Sequence, residues 1–347
     1  MPRMRIVFIA TCLVVMSLGG CSSDEGGVLA LTEGADATVQ EPDVNPESDP
    51  PAGPVFAEVN EAGITQYLGM AAPASVTEAE DGVFHYEWDI ADGPMCLRGT
   101  PYRMAMRPTE ASDDLLIFLG GGGACWSTFC FAFEEAAPGM PDMEALQADK
   151  ETNPFKDFDV AFLSYCDGSL FAGDVEHDDD DDGTSDRFQY GLKNLSVALD
   201  AVAERYPDPD RLVLAGASGG GYGTIVATFL IRARYPDHEL LVINDSGIGI
   251  AKGPQETEFV ETLFSEFNAE RFLPASCPDC LANGHLTELV AWQLDRDPDL
   301  KVAAFSYLHD FIIGTTFLGL GDAAFAEALQ AETKRLHQRF PERYQYF

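Results

Sequence analysis

The sequence predicts an α/β fold in which helices cover both faces of a mostly parallel sheet. Two observations lead to this prediction. From residue 158 onward, short apolar runs alternate with longer segments of helical periodicity, as expected of parallel strands joined by crossover helices. In addition, the stretch "GASGG" at 216–220 stands between one such run and one such segment, where a tight strand-to-helix turn would lie.

Residues 84–119 precede this alternating region and have a different pattern. "FHYEWDI" (84–90) and "PYRMAMRP" (101–108) alternate between apolar and polar side chains, which is typical of antiparallel strands. "DLLIFL" (114–119) predicts a short buried strand. We therefore expect antiparallel strands before the parallel ones.

The alternating region supplies the remaining elements. Strands are predicted at 158–165, 211–216, 239–244 and 301–307, and the beginning of a final strand at 342–347. Helices are predicted at 187–207, 219–235, 255–268, 286–294 and 322–340.

The N-terminus has the features of an export signal. Arg3 and Arg5 precede an apolar stretch at 6–18, and Leu18-Gly19-Gly20-Cys21 resembles a bacterial lipobox. Residues 1–21 are thus predicted to be a lipoprotein signal peptide, with Cys21 lipidated. The lipid would anchor the protein in the bilayer of the bacterial cell envelope, at the outer membrane or cell surface.

Residues 22–54 are acidic and rich in proline, glycine and serine. They contain too little apolar surface to offset the entropy of ordering them, so we predict a disordered tether. The folded domain is then predicted to span residues 55–347.

Six cysteines remain once Cys12 leaves with the signal peptide and Cys21 is lipidated. An even number in an exported chain predicts disulfides. Cys277-Pro-Asp-Cys280 has the spacing of half a zinc site, but no second cysteine pair or histidine pair completes it. We expect a local disulfide there, and no metal or cofactor.

The chain is strongly acidic, with a formal net charge of −37 at pH 7. This charge excludes most binding to phosphate backbones, which depends on lysine and arginine, and disfavours polyanionic substrates. The run Asp178-x-Asp180-x-Asp182-Gly183 matches the opening half of a calcium loop, but Gln189 stands where a bidentate glutamate is expected and a helix is predicted to begin at once. We interpret the run as a solvated insertion.

Ser218 is the candidate nucleophile, because Gly216-Ala217-Ser218-Gly219-Gly220 fits the G-x-S-x-G pattern between a buried strand and a helix. Such a turn forces its central residue into strained backbone angles and lifts its hydroxyl above the sheet. A glycine-rich turn that only packs a helix against a strand would have the same pattern.

A second glycine run, 120–123, follows the strand at 114–119. In an acyl-transfer enzyme, a loop without side chains brings backbone N–H groups close to the developing oxyanion. The donors would be Gly122, Gly123 and Ala124, together with Gly219. No P-loop lysine follows the run, which argues against a phosphate site.

Three segments together resemble the pectin acetylesterase family and its animal carboxylesterase relatives. They are "GGGACWSTFC" (121–130), "FLSYCDGSLFAGD" (162–174) and "LAGASGGGYGT" (214–224). The resemblance implies an α/β-hydrolase fold and a serine carboxylesterase that removes acetyl or other short acyl groups from a polysaccharide or a small ester. It also implies disulfides Cys96–Cys166 and Cys125–Cys130. Trp126, Tyr165 and Asp167 lie in these segments and are expected to line the pocket.

In this fold, the acid and the histidine of the triad follow the serine. Asp245 and Asp310 are both expected to end strands after Ser218, and the resemblance favours Asp310 as the acid. Asp245 remains the alternative.

The catalytic histidine has no good position in this sequence. His238 begins a strand at the end of the sheet away from Ser218, and His285 lies in an inserted segment. His309 is next to Asp310, and adjacent strand residues point to opposite faces. His337 is a weak candidate on the polar face of the last helix. We therefore expect the histidine on a loop beyond Phe347, in a chain truncated at its C-terminus.

These features favour a membrane-anchored serine esterase. One alternative is a non-catalytic surface lipoprotein that uses the same pocket for binding. Another is a lipid or protein deacylase, which would differ in the depth of its pocket.

Overall fold

The computed structural model describes residues 54–347. The predicted signal peptide, the lipidation site Cys21 and nearly all of the predicted tether lie outside the described residues. Within them, the predicted α/β architecture is present.

A mixed sheet of nine strands forms the centre of the domain. In chain order, the strands of the domain are β1 (Ser75–Glu78), β2 (Phe84–Glu87), β3 (Arg103–Arg107), β4 (Leu115–Leu119), β5 (Gly123–Trp126), β6 (Phe129–Ala132), β7 (Asp159–Leu163), β8 (Val175–His177), β9 (Arg187–Gln189), β10 (Leu212–Ala217), β11 (Leu240–Asp245), β12 (Leu300–Phe305) and β13 (Tyr344–Tyr346). The order across the sheet is β1-β2-β3-β7-β4-β10-β11-β12-β13, and β5-β6 and β8-β9 are separate hairpins.

The two halves of the sheet differ in direction, as the sequence predicted. Strands β1, β2 and β3 are antiparallel, and β3 is antiparallel to β7. From β7 to β13 the strands are parallel. Every residue of β4 and β7 is buried, which is typical of parallel strands covered on both faces.

Six α-helices accompany the strands in the described part of the chain. They are α1 (Ala57–Glu61), α2 (Gly191–Arg205), α3 (Gly219–Arg234), α4 (Glu258–Glu266), α5 (Thr287–Arg296) and α6 (Asp322–Arg339), with a π-helix at Phe311–Phe317. The prediction for 187–207 was wrong at its beginning, because 187–189 pair as strand β9 with β8. Between residues 54 and 347 no single helix is long and apolar enough to cross a membrane. The π-helix and α6 reach that length and apolar composition only when they are taken together, and the chain bends by 115° between them.

Three disulfides stabilise the loops around the sheet, with the predicted pairings. Cys96–Cys166 joins the segment before β3 to the loop after β7, and Cys277–Cys280 closes a tight turn. Cys125–Cys130 joins directly opposed residues of the β5-β6 hairpin.

The acidic run forms the turn of the β8-β9 hairpin. The carboxylate oxygens of Asp178, Asp180 and Asp182 lie within 4.8 Å of one another. The Asp178 carboxylate accepts the backbone N–H of Gly183 at 2.7 Å, so part of this charge stabilises the turn itself. Gln189 is buried in β9 and donates to the carbonyl oxygen of Cys125 at 2.7 Å.

One buried ion pair joins the end of α3 to the chain just before β12. Arg232 and Asp297 are almost completely buried, and Arg232 Nη2 donates to Asp297 Oδ1 at 2.9 Å. Arg232 Nη1 also donates to the carbonyl oxygen of His238, before β11. The guanidinium therefore connects three segments at the amino ends of the parallel strands.

Asp297→Ala should destabilise the domain by about 3–5 kcal/mol, because it leaves the Arg232 guanidinium buried without its counter-charge. Urea denaturation measures this change. The exposed pair Lys301–Glu239 provides the matched control, since Glu239→Ala should cost less than about 1 kcal/mol. An equal loss of unfolding free energy in the two variants would contradict the claim that burial makes the Arg232–Asp297 pair the more important one.

Candidate active site

Ser218 lies at a sharp turn between the last residue of β10 and the first residue of α3. Its backbone has φ 54° and ψ −118°, a conformation that costs a residue with a side chain about 1–3 kcal/mol. Its N–H donates to the carbonyl oxygen of Asp245 at 2.9 Å, which holds the turn against β11. The side chain is half-buried and lines a cleft.

The glycines on either side of Ser218 are required by contact with neighbouring backbone. A Cβ on Gly216 would lie 2.6 Å from the carbonyl carbon of Gly220, and one on Gly220 would lie 2.6 Å from the carbonyl oxygen of Gly120. Both distances are shorter than van der Waals contact. The G-x-S-x-G pattern therefore reflects a crossing of backbone segments.

The glycine loop after β4 lies directly against Ser218. A Cβ on Gly121 would lie 2.6 Å from the carbonyl oxygen of Ala217 and 3.2 Å from Ser218 Cβ, and Gly123 has a φ of +89°. Within residues 54–347, the N–H groups of Gly122 and Gly219 donate to no protein acceptor. Two free donors beside a serine hydroxyl can hold the oxyanion of an acyl-transfer intermediate.

Of the three predicted pocket residues, only Trp126 lines the cleft. Tyr165 and Asp167 are buried behind its wall, so this prediction was wrong for both. A Cβ on Gly122 would lie 2.9 Å from the Tyr165 ring, so the ring supports the glycine loop from beneath. The Tyr165 hydroxyl accepts the N–H of Leu170 at 3.0 Å, and Leu170 does line the cleft.

Asp167 fixes the loop that follows β7. Its buried carboxylate accepts hydrogen bonds from the hydroxyl of Ser169 and from the backbone N–H groups of Ser169 and Gly191. Burial raises its pKa to about 6, although these hydrogen bonds oppose the shift. The segment it holds contains Leu170 and Phe171, both at positive φ.

The two candidate acids lie close enough to influence each other. Asp245 ends β11 and its carboxylate accepts the Ser246 hydroxyl at 2.8 Å. Burial raises the pKa of Asp245, the hydrogen bond from Ser246 opposes this, and the charge of Asp310 raises the pKa further. Burial and the same Asp310 charge also raise the pKa of Tyr222, one helical turn after Ser218. Asp310 is therefore near Asp245, whose backbone carbonyl holds the Ser218 turn.

The predicted position of Asp310 was wrong. Strand β12 ends at Phe305, and Asp310 lies beyond it as the N-cap of the π-helix, where its carboxylate accepts the N–H of Ile313 at 2.9 Å. His309 and Asp310 are thus not adjacent strand residues, and His309 is exposed. A loop residue can turn toward the serine in a way that the strand register did not indicate.

No histidine among residues 54–347 lines the cleft. His238 Nε2 lies 3.2 Å from Asp208 at the amino end of β11, as predicted, and His285 is buried, where its Nδ1 accepts the N–H of Ala251 at 2.9 Å. His337 is half-buried instead of lying on an exposed face, because its Nδ1 donates to the carbonyl oxygen of Tyr344 at 2.8 Å. The position of the catalytic histidine stays a prediction.

The cleft beside Ser218 is almost wholly apolar. Much of its wall comes from α4 and the chain around it, which the sequence predicted as a helix without a function. Its apolar lining includes Tyr222, Ile225, Val226, Ile250, Phe259, Val260, Leu263, Phe264, Phe267, Leu286, Ile313, Phe317 and Leu318. The sequence contains one signal for the role of α4 in the cleft wall. Residues 259–267 carry many apolar side chains at helical spacing, in a segment that is not predicted to pair with the sheet.

Comparisons with known proteins agree with this architecture. The family model for pectinacetylesterase matches residues 84–286, more than half of the chain. Pectin acetylesterase 11 of Arabidopsis thaliana is 22% identical over 214 residues, which cover 56% of this chain and 54% of the plant protein, so the chain spans about half the length of that relative. The structure of the Wnt deacylase Notum from Drosophila is similar in fold, with a TM-score of 0.50 and 16% identity over 73% of this chain and 80% of that one.

Asp167→Asn should change how stability depends on pH. The folded pKa of about 6 is above the ordinary value of about 4, so the contribution of this carboxyl is fully present below about pH 4 and is lost as the pH rises through about 6. The unfolding free energy of the natural chain, relative to the variant, should therefore fall by roughly 3 kcal/mol between about pH 4 and pH 7. Urea denaturation across this range measures it.

Asp114→Asn provides the contrasting control. Hydrogen bonds from Arg211 lower the pKa of Asp114, so its stabilising contribution is present at neutral pH and is lost as the pH falls. If the unfolding free energy of the natural chain, relative to each variant, changed with pH in the same direction for both variants, the buried environment described for Asp167 would be contradicted.

Proposed function

Because the chain belongs to the pectinacetylesterase family, we propose that it is a serine carboxylesterase that cleaves acyl esters through a covalent acyl-enzyme. The observation that carries this proposal is the geometry of Ser218, a strained residue at a strand-to-helix turn whose side chain lines the cleft beside the free N–H groups of Gly122 and Gly219. We also propose the export and lipid anchoring at Cys21 that the N-terminal sequence indicates.

The reaction follows from the groups around the serine. Ser218 Oγ attacks the ester carbonyl carbon while a base takes its proton, and the N–H groups of Gly122 and Gly219 bind the oxyanion. The intermediate collapses, the alcohol leaves with a proton from the same base, and water then hydrolyses the acyl-enzyme by the same steps in reverse.

The structure contains candidates for the triad carboxylate but not for the triad histidine among the described residues. Asp310 or Asp245 would orient a histidine and stabilise the imidazolium formed in each step, since the Asp245 backbone carbonyl holds the Ser218 turn and Asp310 lies near Asp245. None of the described histidines is assigned as the base, because none of them lines the cleft.

The cleft supports an acyl group longer than the acetyl group implied by the sequence resemblance. Its wall is apolar over nearly its whole surface and is built from side chains of α3, α4 and the π-helix, so it offers an acyl chain more apolar contact than an acetyl group can use. Each methylene transferred from water into such a wall contributes about 0.8 kcal/mol. We therefore propose a deacylase acting on medium or long acyl chains, in agreement with the deacylase alternative.

A series of aryl esters from acetate to decanoate tests the acyl preference. The specificity constant kcat/KM should rise by up to about fourfold per methylene, because the burial of each methylene also stabilises the transition state. Ser218→Ala should abolish turnover with every ester. A maximum at acetate would contradict the proposed acyl site, and full activity in Ser218→Ala would contradict the mechanism.

A second candidate is a binding protein that holds an acyl chain without cleaving it. The observation that favours it is the lack of a histidine at the cleft among residues 54–347. Without a base, a serine hydroxyl is a weak nucleophile.

Labelling with a fluorophosphonate probe separates the two candidates. An esterase should be labelled at Ser218, and imidazole added to the buffer should accelerate labelling because it supplies a general base. Ser218→Ala should remove the label, whereas Ser127→Ala, an exposed serine that binds Glu266, should retain it. No labelling with or without imidazole would favour the binding protein.

A further inference from the structure

Two chain segments contribute to the wall of the cleft and also carry side chains that are exposed to solvent. They are residues 123–133, which contain the β5-β6 hairpin, and residues 306–321, which contain the π-helix; we call them the mouth segments. Phe317 of the π-helix lines the cleft, and its ring centroid lies 5.3 Å from that of Phe129 and 6.2 Å from that of Phe131. The two segments therefore form one continuous surface beside the cleft.

This surface exposes large apolar side chains to solvent. Phe131 is 67% exposed, Phe133 59% and Phe311 64%. Six of the eleven large apolar side chains that are exposed among residues 54–347 belong to the mouth segments; they are Phe131, Phe133, Tyr307, Leu308, Phe311 and Ile312. Soluble proteins ordinarily expose large apolar side chains singly, at scattered positions. A cluster of them therefore indicates an interaction surface.

The mouth segments are also almost free of charge. They contain one acidic residue, Asp310, one histidine, His309, and no lysine or arginine, in a chain whose net charge is −37. Two copies of so acidic a chain repel each other, which argues against a second copy as the occupant. Anionic lipids are disfavoured for the same reason, whereas an uncharged or zwitterionic lipid surface meets no such repulsion.

We propose that the mouth segments bind the surface of a zwitterionic lipid bilayer. The exposed aromatic rings enter the boundary between headgroups and acyl chains, where amphipathic and apolar side chains are stable. The apolar cleft then opens directly onto the acyl chains of the bilayer. The proposal deepens the proposed function by naming where an acyl substrate is presented, but the binding itself requires no catalysis.

A fluorescent label at the mouth tests the proposal in the full chain. Phe311→Cys is introduced together with Cys12→Ser and Cys21→Ser, so that acrylodan reacts at one position and no lipid anchor contributes; the other six cysteines form disulfides. On addition of phosphatidylcholine vesicles, the label should shift its emission to the blue and lose its quenching by iodide. The readout is independent of Ser218, so a failure of the esterase proposal leaves it interpretable.

Three controls make the result decisive. The same label at Val76→Cys, on exposed β1 at the far edge of the sheet, should not respond to vesicles. Phe131→Ser with Ile312→Ser should abolish the response of the Phe311→Cys label, and circular dichroism checks that this variant is folded. Vesicles with added phosphatidylglycerol should give a weaker response.

Three outcomes would overturn the proposal. They are no response at Phe311→Cys, an equal response at Val76→Cys, and a blue shift that depends on protein concentration without vesicles. The last would show self-association of the chain.

Discussion

The crossing of three backbone segments at Ser218 is the constraint on which the rest of the site depends. Strand β10, the start of α3 and the glycine loop after β4 approach so closely that a single Cβ at Gly121 or Gly220 would overlap a neighbouring carbonyl oxygen. This packing holds Ser218 in a conformation that it would not adopt alone, and the parallel strands on both sides supply the energy. The N–H groups of Gly122 and Gly219 are free for a related reason. Gly219 begins α3, where N–H groups have no acceptor within the helix, and the glycine loop offers no acceptor to Gly122.

The electrostatics of the site are those of an acidic environment with few cations. Asp245 and Asp310 lie near the Ser218 turn and Asp167 lies behind the cleft wall; burial raises the pKa of both Asp167 and Asp245. At the opposite end of the strands, by contrast, the buried carboxylate of Asp297 is paired with Arg232. Carboxylates without a guanidinium partner stabilise a positive charge that forms during a reaction, which is what an imidazolium requires.

The apolar cleft and the mouth segments share one physical origin. Both come from chain that lies outside the sheet, namely the β5-β6 hairpin, α4 and the π-helix. The disulfide Cys125–Cys130 ties the hairpin that contributes both Gly123 and the exposed rings. Changes to these segments would therefore alter the acyl site and its access together, while the sheet and Ser218 stay in place.

The sequence by itself determined the parallel sheet, the antiparallel strands before it, the turn at Ser218 and the Cys277–Cys280 disulfide, because each rests on a local pattern: apolar period, glycines that only a close turn requires, or two cysteines three residues apart. The pairings Cys96–Cys166 and Cys125–Cys130 were implied by the resemblance to a family, and the structure contains both. The tertiary structure alone decided that Tyr165 and Asp167 lie behind the wall, that Asp310 caps a π-helix beyond β12, and that α4 forms the cleft. Those facts depend on which distant segments meet and how deeply each is buried. The spacing and composition of residues do not predict which distant segments meet or how deeply they are buried. Contacts between segments far apart in sequence are fixed only when the core packs.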